Sequence, residues 1–231
     1  MKTIPLTLIT LVSLSLTNLV AAAAPPAPVD PNSFPAPVRV ACVGDSITSG
    51  AGASPGKSYP SQLQAILGDK WKVNNFGVSG RTLLKKGDHP YWNEKAFTAA
   101  QAFNPNVVVI MLGTNDTKPP NWVHNDEFYA DYKGLVETFK NLESKPRIFV
   151  CRPCPVPGKG NYGINEANLQ LEMPLIDKVA AEENADVIDM HAALLAHPEM
   201  QPDRVHPNTA GAGIMAQTVA DALTGKAAAT P

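Results

Sequence analysis

Val38-Arg39-Val40-Ala41-Cys42-Val43-Gly44-Asp45-Ser46-Ile47-Thr48 is the stretch whose reading decides the fold. An apolar run of strand length ends in Gly-Asp-Ser, and a loop of small residues follows: Gly50, Ala51, Gly52 and Ala53. A buried strand that stops at Gly-Asp lifts the next side chain out of the core at the sheet's carboxyl edge. Open α/β sheets place their ligands at that edge. Ser46 then stands as an exposed hydroxyl on a rigid support, which a nucleophile requires. Taken alone, the tripeptide reads by default as a Ser helix cap after a buried strand. The rest of the chain decides between the two.

Downstream the pattern alternates. Tyr59 to Leu67 carries Leu63, Ile66 and Leu67 on one helical face. Lys72 to Phe76 reads as a short strand ending at Gly77-Val78-Ser79-Gly80, and Trp92 to Phe103 as a helix stopped by Pro105. Val107 to Leu112 is an unbroken apolar run, the mark of a strand covered on both faces. It ends at Gly113-Thr114-Asn115-Asp116. A helix over Phe128 to Leu142, a strand over Arg147 to Cys151 and a helix over Asn165 to Glu183 follow, with Pro174 a kink or a break in the last. Asp186 to Met190 is the fifth strand and Ala210 to Leu223 the closing helix. Such alternation predicts an α/β fold, a mostly parallel sheet with helices on both faces.

The 231 residues suit one domain, and a net charge of −2 without any block of like charge points away from nucleic acid. Met1-Lys2, an apolar run to Val20 and Ala21 to Ala24 compose a signal peptide over 1–24, which predicts a secreted or periplasmic protein without stable membrane insertion. Residues 25–37 form a Pro-rich leader, either a disordered spacer or a strap over the surface. The domain proper is expected over 38–224, with a tail over 225–231. Of the three cysteines, Cys42 falls in the first strand as a small buried group, while Cys151 and Cys154 either close a local disulfide or stay apart. No further ligands at matching spacing accompany them, so no metal is expected.

Gly44-Asp45-Ser46, Gly77-Val78-Ser79-Gly80 and Gly113-Thr114-Asn115-Asp116 directly follow strands, so a parallel sheet carries them to one edge. Asp203-x-x-His206 lies in a loop that can fold over that edge. Acyl transfer needs these groups together: a hydroxyl to attack, an imidazole to take and return its proton, a carboxylate to hold the imidazole, and donors for the oxyanion. Ser46, His206 and Asp203 are the catalytic candidates. The N–H groups of Ser46 and Gly80 and the Asn115 amide are the candidate oxyanion hole.

This ordered set resembles the SGNH hydrolases, also called the GDSL-type esterase/lipase superfamily, from about Val38 to about Leu223. The resemblance implies a flavodoxin-like three-layer α/β/α sandwich around a five-stranded sheet, a serine mechanism, and neither cofactor nor metal. Two other motifs fail. Ala51 to Ser58 lacks the first Gly of a P-loop and carries Pro55 in the cradle, and Thr48 replaces the last Gly of an α/β-hydrolase elbow. Asn115-Asp116-Thr117 is a glycosylation sequon that would bury the oxyanion donor, so it is either folded out of reach or left unmodified by the host.

Arg81, Lys85, Lys86, His89, Tyr91, Trp92, Lys118, Asn121, Trp122 and Arg152 fall around the same edge. Aromatic faces beside hydrogen-bonding groups suit a sugar ring, although Tyr91 and Trp92 equally suit packing of the following helix. Asp45, Arg81, Trp122 and Arg152 are the candidate substrate contacts. With export and no lipase-like lid, the expected activity is a short-chain esterase removing O-acetyl groups from carbohydrate, as the similarity to secreted bacterial acetylesterases implies. A lysophospholipase or thioesterase on longer chains is the alternative. A carbohydrate-binding module without turnover would have lost Ser46, Asn115 or His206, and all three are present. The partner is then a small or polymeric ester, and the oligomeric state is left open.

Overall fold

The structure, a computed structural model, describes residues 27–226. The signal peptide expected over 1–24 and the last five residues of the 225–231 tail lie outside them. Along the described chain run β1 (Val38–Gly44), α1 (Ser46–Ser49), α2 (Tyr59–Leu67), β2 (Trp71–Gly77), α3 (Lys95–Ala102), β3 (Val107–Met111) and α4 (Pro119–Trp122). They are followed by α5 (Phe128–Lys140), β4 (Arg147–Arg152), α6 (Glu166–Glu183), β5 (Asp186–Asp189), α7 (Met190–Leu195) and α8 (Thr209–Thr224). The five strands pair in parallel in the order β2-β1-β3-β4-β5. That is the flavodoxin-like order, with its reversal between β1 and β3 at the carboxyl edge.

Strand alternation distributes the apolar runs to two faces. Val38, Val40 and Cys42 of β1 and Val107, Val109 and Met111 of β3 face α2 and α8, meeting Tyr59, Leu63, Met215 and Val219. Ala41, Val43, Val108 and Ile110 point the other way, against Tyr132, Leu135 and Phe139 of α5 and Ile176 and Val179 of α6. Each fully buried Val, Leu, Ile or Phe contributes about 1.5–3 kcal/mol. A run as continuous as β3 is stable only with a helical layer on each side, and that makes the sandwich.

Three details left open by the sequence resolve. α6 runs unbroken through Pro174, which lies exposed together with Gln170, the residue whose carbonyl loses its N–H partner. Residues 27–37 are a strap. The Val29 N–H donates to the Leu223 carbonyl at 2.8 Å, Val29 enters the first core, and Phe34 packs on it. The three thiols are free and buried, with Cys154 against the Met215 sulfur. Burial pushes the Cys42 thiol up to about 12 and Cys151 well above its ordinary value, so both are held protonated.

Candidate active site

The site begins with two glycines. Gly44 and Gly77 are register neighbours at the ends of β1 and β2. A Cβ on Gly44 would lie 2.1 Å from Thr48 Oγ1, and one on Gly77 would lie 2.3 Å from the Ser49 N. The short α1 therefore rests directly on the sheet edge. Asp45 caps it, accepting from the Ile47 N–H at 2.9 Å. Ser46, its first residue, is 8% exposed and turns its hydroxyl toward the mouth of a cavity of about 300 Å³.

His206 reaches this hydroxyl from the loop before α8. Ser46 Oγ lies 2.9 Å from His206 Nε2, and His206 Nδ1 lies 2.6 Å from Asp203 Oδ2. The other Asp203 oxygen accepts from the backbone N–H groups of His206 at 2.7 Å and Val205 at 3.0 Å. Partial burial pushes the Asp203 carboxyl up, but the His206 N–H, the His206 ring and the Val205 N–H together outweigh it and hold the group below its usual value. The carboxylate is thus ionised, and it fixes which ring nitrogen faces Ser46. A second imidazole, that of the buried His191, instead pairs with Glu166 at 2.7 Å and meets Gln170 rather than a hydroxyl. Gly52 lies under the relay, where an added Cβ would stand 2.8 Å from His206 Cβ.

Gly80 and Asn115 line the same cavity. Gly80 has φ +81°, a conformation that favours glycine, and a Cβ there would enter open space. The N–H groups of Ser46 and Gly80 donate to no other group among the described residues. The Asn115 amide donates to the Arg81 carbonyl at 3.1 Å and, more weakly, to Asp45 Oδ2 at 3.3 Å. Its neighbour Asp116 accepts from the Leu83 and Leu84 N–H groups at 3.0 and 2.7 Å, pinning the loop that presents Gly80. Burial raises the Asp116 carboxyl to about 7 against those two donors, and that of Asp45 to about 6. Asn115, Asp116 and Thr117 are all buried, so the sequon is folded out of reach.

None of Asp45, Arg81, Trp122 and Arg152 lines the cavity. Asp45 is buried beneath it as the cap of α1. Arg81 pairs with Glu94 and donates back to the Ser79 carbonyl. Trp122 is half-buried at the end of α4. Arg152 is held in a fork by Asp177 and by Asp189, because strand alternation at the end of β4 turns it toward α6. Tyr91 and Trp92 pack the helical layer, their polar tips donating to the Phe76 and Leu83 carbonyls at 2.7 Å each. The remaining walls are Ala51, Ser79, Lys118, Tyr162 and Ile164. Tyr162 lies outside the motifs. The signal that finds it is the run Gly158-Lys159-Gly160-Asn161-Tyr162-Gly163, which follows β4 at the same edge. A larger hollow of about 380 Å³ between the strap and Asp69-Lys70 holds no imidazole or hydroxyl pair.

Behind the site Glu172 is fully buried, and neither of its oxygens has a partner among the described residues. Burial first, then the neighbouring Asp116 and Asp45, push its carboxyl well above the ordinary value. A group raised on folding contributes its full stability below the unfolded pKa of about 4.3 and loses it as pH climbs, because the native state must then hold a proton the unfolded chain has released. Glu172→Met keeps the shape without the polar atoms. It is expected to raise unfolding stability by about 1–3 kcal/mol at pH 8 and by less at pH 4. Urea denaturation at both values checks this, and an equal gain at the two removes the proton from the account.

The model of the GDSL-like lipase/acylhydrolase family matches residues 42–214. The chain is therefore a member of the GDSL-like lipase/acylhydrolase family, whose model spans most of its length. A curated acetylxylan esterase of Xylanibacter ruminicola is 41% identical over 216 residues, covering 83% of this chain and 45% of its own. The chain thus spans a little under half the length of that relative. Among solved structures, the acetylxylan esterase Axe2 of Geobacillus stearothermophilus is 25% identical with a TM-score of 0.61, covering 81% of this chain and 94% of its own. A carbohydrate acetylesterase family member from Sinorhizobium meliloti shares the fold at 22% identity and a TM-score of 0.63, covering 80% of this chain and 99% of its own.

Proposed function

We propose that the chain is a secreted serine esterase that removes acetyl groups from carbohydrate. The observation that carries this reading is the relay Ser46–His206–Asp203, with contacts of 2.9 and 2.6 Å, opening on the cavity that Gly80 and Asn115 also line. Ser46 Oγ attacks the ester carbonyl while His206 Nε2 takes its proton, and the tetrahedral oxyanion receives the Ser46 and Gly80 N–H groups and the Asn115 amide. The long Asn115–Asp45 contact is the one the oxyanion replaces. His206 returns the proton to the departing sugar oxygen, leaving an acetyl group on Ser46. Water, activated by the same imidazole, then releases acetate.

Acetyl is favoured over a long acyl chain because the cavity holds about 300 Å³ and Ile164 is its one large aliphatic wall. The similarity to acetylxylan esterases supports the sugar. Export rests on the 1–24 segment, with 38–224 as the catalytic domain. The test is acetate release from acetylated xylan beside a p-nitrophenyl ester series. Release with a preference for acetate is expected, whereas preference for chains of eight carbons or more would favour a lysophospholipase or thioesterase.

A further inference from the structure

One wall of the cavity is built from an aromatic ring and an ammonium group that the hydrolytic steps do not use. Tyr162 is 60% exposed although it lies beside the half-buried His206 and Asp203. Its φ of +54° is a left-handed conformation that a bulky side chain rarely takes, and Gly160 and Gly163 on either side are left-handed as well. Such a conformation persists only where its surroundings enforce it. Here they do. The Ile164 N–H donates to the Asn161 carbonyl at 2.8 Å, the Tyr162 N–H to the Asn161 side chain at 2.9 Å, and the Asn161 amide to the Asp203 carbonyl at 3.2 Å. The loop is thus tied to the catalytic carboxylate's own backbone. It holds the ring 5.9 Å from the His206 imidazole, at 50° to it, with a face left to solvent.

Lys118 adjoins this loop. A Cβ on Gly163 would sit 3.7 Å from Lys118 Cγ, so the loop lies along the lysine stem. The lysine lines the cavity and has no carboxylate partner among the described residues. Its charge is felt by Asp45 beneath the cavity without an ion-pair contact, and the Asp203 carboxylate of the relay is already committed to His206. Two further exposed cations without an ion-pair partner among the described residues, Lys159 and Arg204, belong to the loops that carry Tyr162 and His206. An aromatic face offers a sugar ring its C–H stacking surface. An unpaired ammonium on the same wall favours a sugar with an anionic substituent, and the surrounding cations raise the local concentration of a polyanion.

We infer that Tyr162 and Lys118 form a subsite for the acetylated sugar and that this sugar belongs to an acidic glycan, one bearing uronic acid carboxylates. The inference rests on the carbohydrate esterase reading and names its substrate class. Tyr162 supplies the platform that orients the ring so that its acetyl ester meets Ser46. Lys118 binds a carboxylate on that ring or on the adjoining one.

The test compares kcat and KM on acetylated oligogalacturonides, acetylated xylo-oligosaccharides without uronic acid, and p-nitrophenyl acetate. The wild-type protein is expected to prefer the acidic sugar, and to lose that preference as NaCl rises from about 20 to 500 mM. Lys118→Gln should lower the ratio of kcat/KM on the acidic sugar to that on the neutral one by about three- to tenfold. Tyr162→Ala should raise KM on both sugars by about five- to tenfold, and Tyr162→Phe should restore most of that loss. Tyr162→Phe falling as far as Tyr162→Ala, in kcat rather than KM, would overturn the platform and make the hydroxyl, 3.5 Å from Asp203 Oδ2, a positioning group for the relay. An acidic-to-neutral ratio that neither salt nor Lys118→Gln moves overturns the acidic glycan while the esterase reading stands. Turnover of p-nitrophenyl acetate with no acetate from any sugar overturns both.

Discussion

Ser46→Ala is expected to lower kcat on p-nitrophenyl acetate by roughly 10⁴–10⁶-fold and to erase the burst of p-nitrophenol that an acyl-enzyme produces. The size follows from the role of the oxygen. On the proposed mechanism no acyl-enzyme then forms, His206 can only activate water for direct attack, and the oxyanion donors sustain what rate remains. Ser46 Oγ is the one hydroxyl in hydrogen-bond contact with His206 among the described residues, so no neighbour is poised to replace it. Thr48, two residues along, points its hydroxyl into the buried contact with Gly44. The fold should survive the change, since the cap of α1 is the Asp45 carboxylate rather than Ser46. Stopped-flow traces of p-nitrophenol release, with near-ultraviolet circular dichroism on the same samples, check the outcome. A burst of wild-type amplitude would remove Ser46 from the chemistry.

The second large effect is expected at Asn115. Asn115→Ala should reduce kcat by about 10²–10³-fold with little change in KM, the loss associated with one oxyanion donor. KM is spared because the donor is needed for the tetrahedral oxygen more than for the ground-state carbonyl. The same substitution strips a donor from the Arg81 carbonyl and from Asp45 Oδ2, so a stability loss of about 1 kcal/mol should accompany it. The two effects separate in measurement: urea unfolding reads the structural part, and kcat on intact protein reads the chemical part. An effect confined to KM would place Asn115 in substrate binding instead.

The parts of this molecule that were legible in the sequence are those whose physics is local. Val107 to Met111 declares a two-faced strand because five neighbouring side chains are all apolar, and the strand is buried on both sides as that requires. Gly44-Asp45-Ser46 carries its own floor, cap and hydroxyl within three residues. What eluded the sequence depends on partners far along the chain. Arg152 ends a strand at the functional edge, yet Asp177 and Asp189 hold it, and nothing around position 152 announces those pairings. Glu172 reads as a polar residue of an amphipathic helix, but the packing of α6 against Gly113 and Phe128 buries it. Pro174 gives no sign of whether its freed carbonyl meets solvent or core. Tyr162 belongs to a loop whose shape comes from successive left-handed residues, a property of backbone angles rather than of hydrophobic period.

The strap has a bearing on how the molecule can be rewired. By pairing Val29 with Leu223 and setting Pro28 against Gly225, it brings residues near the two extremes of the described chain within touching distance, at the pole of the sheet opposite the Ser46 hydroxyl. A short linker could therefore splice those extremes together and the backbone be reopened in a surface turn elsewhere, giving a circular permutant with the relay untouched. By the same geometry, both Val29 and Leu223 stand at the far pole, away from the mouth of the cavity.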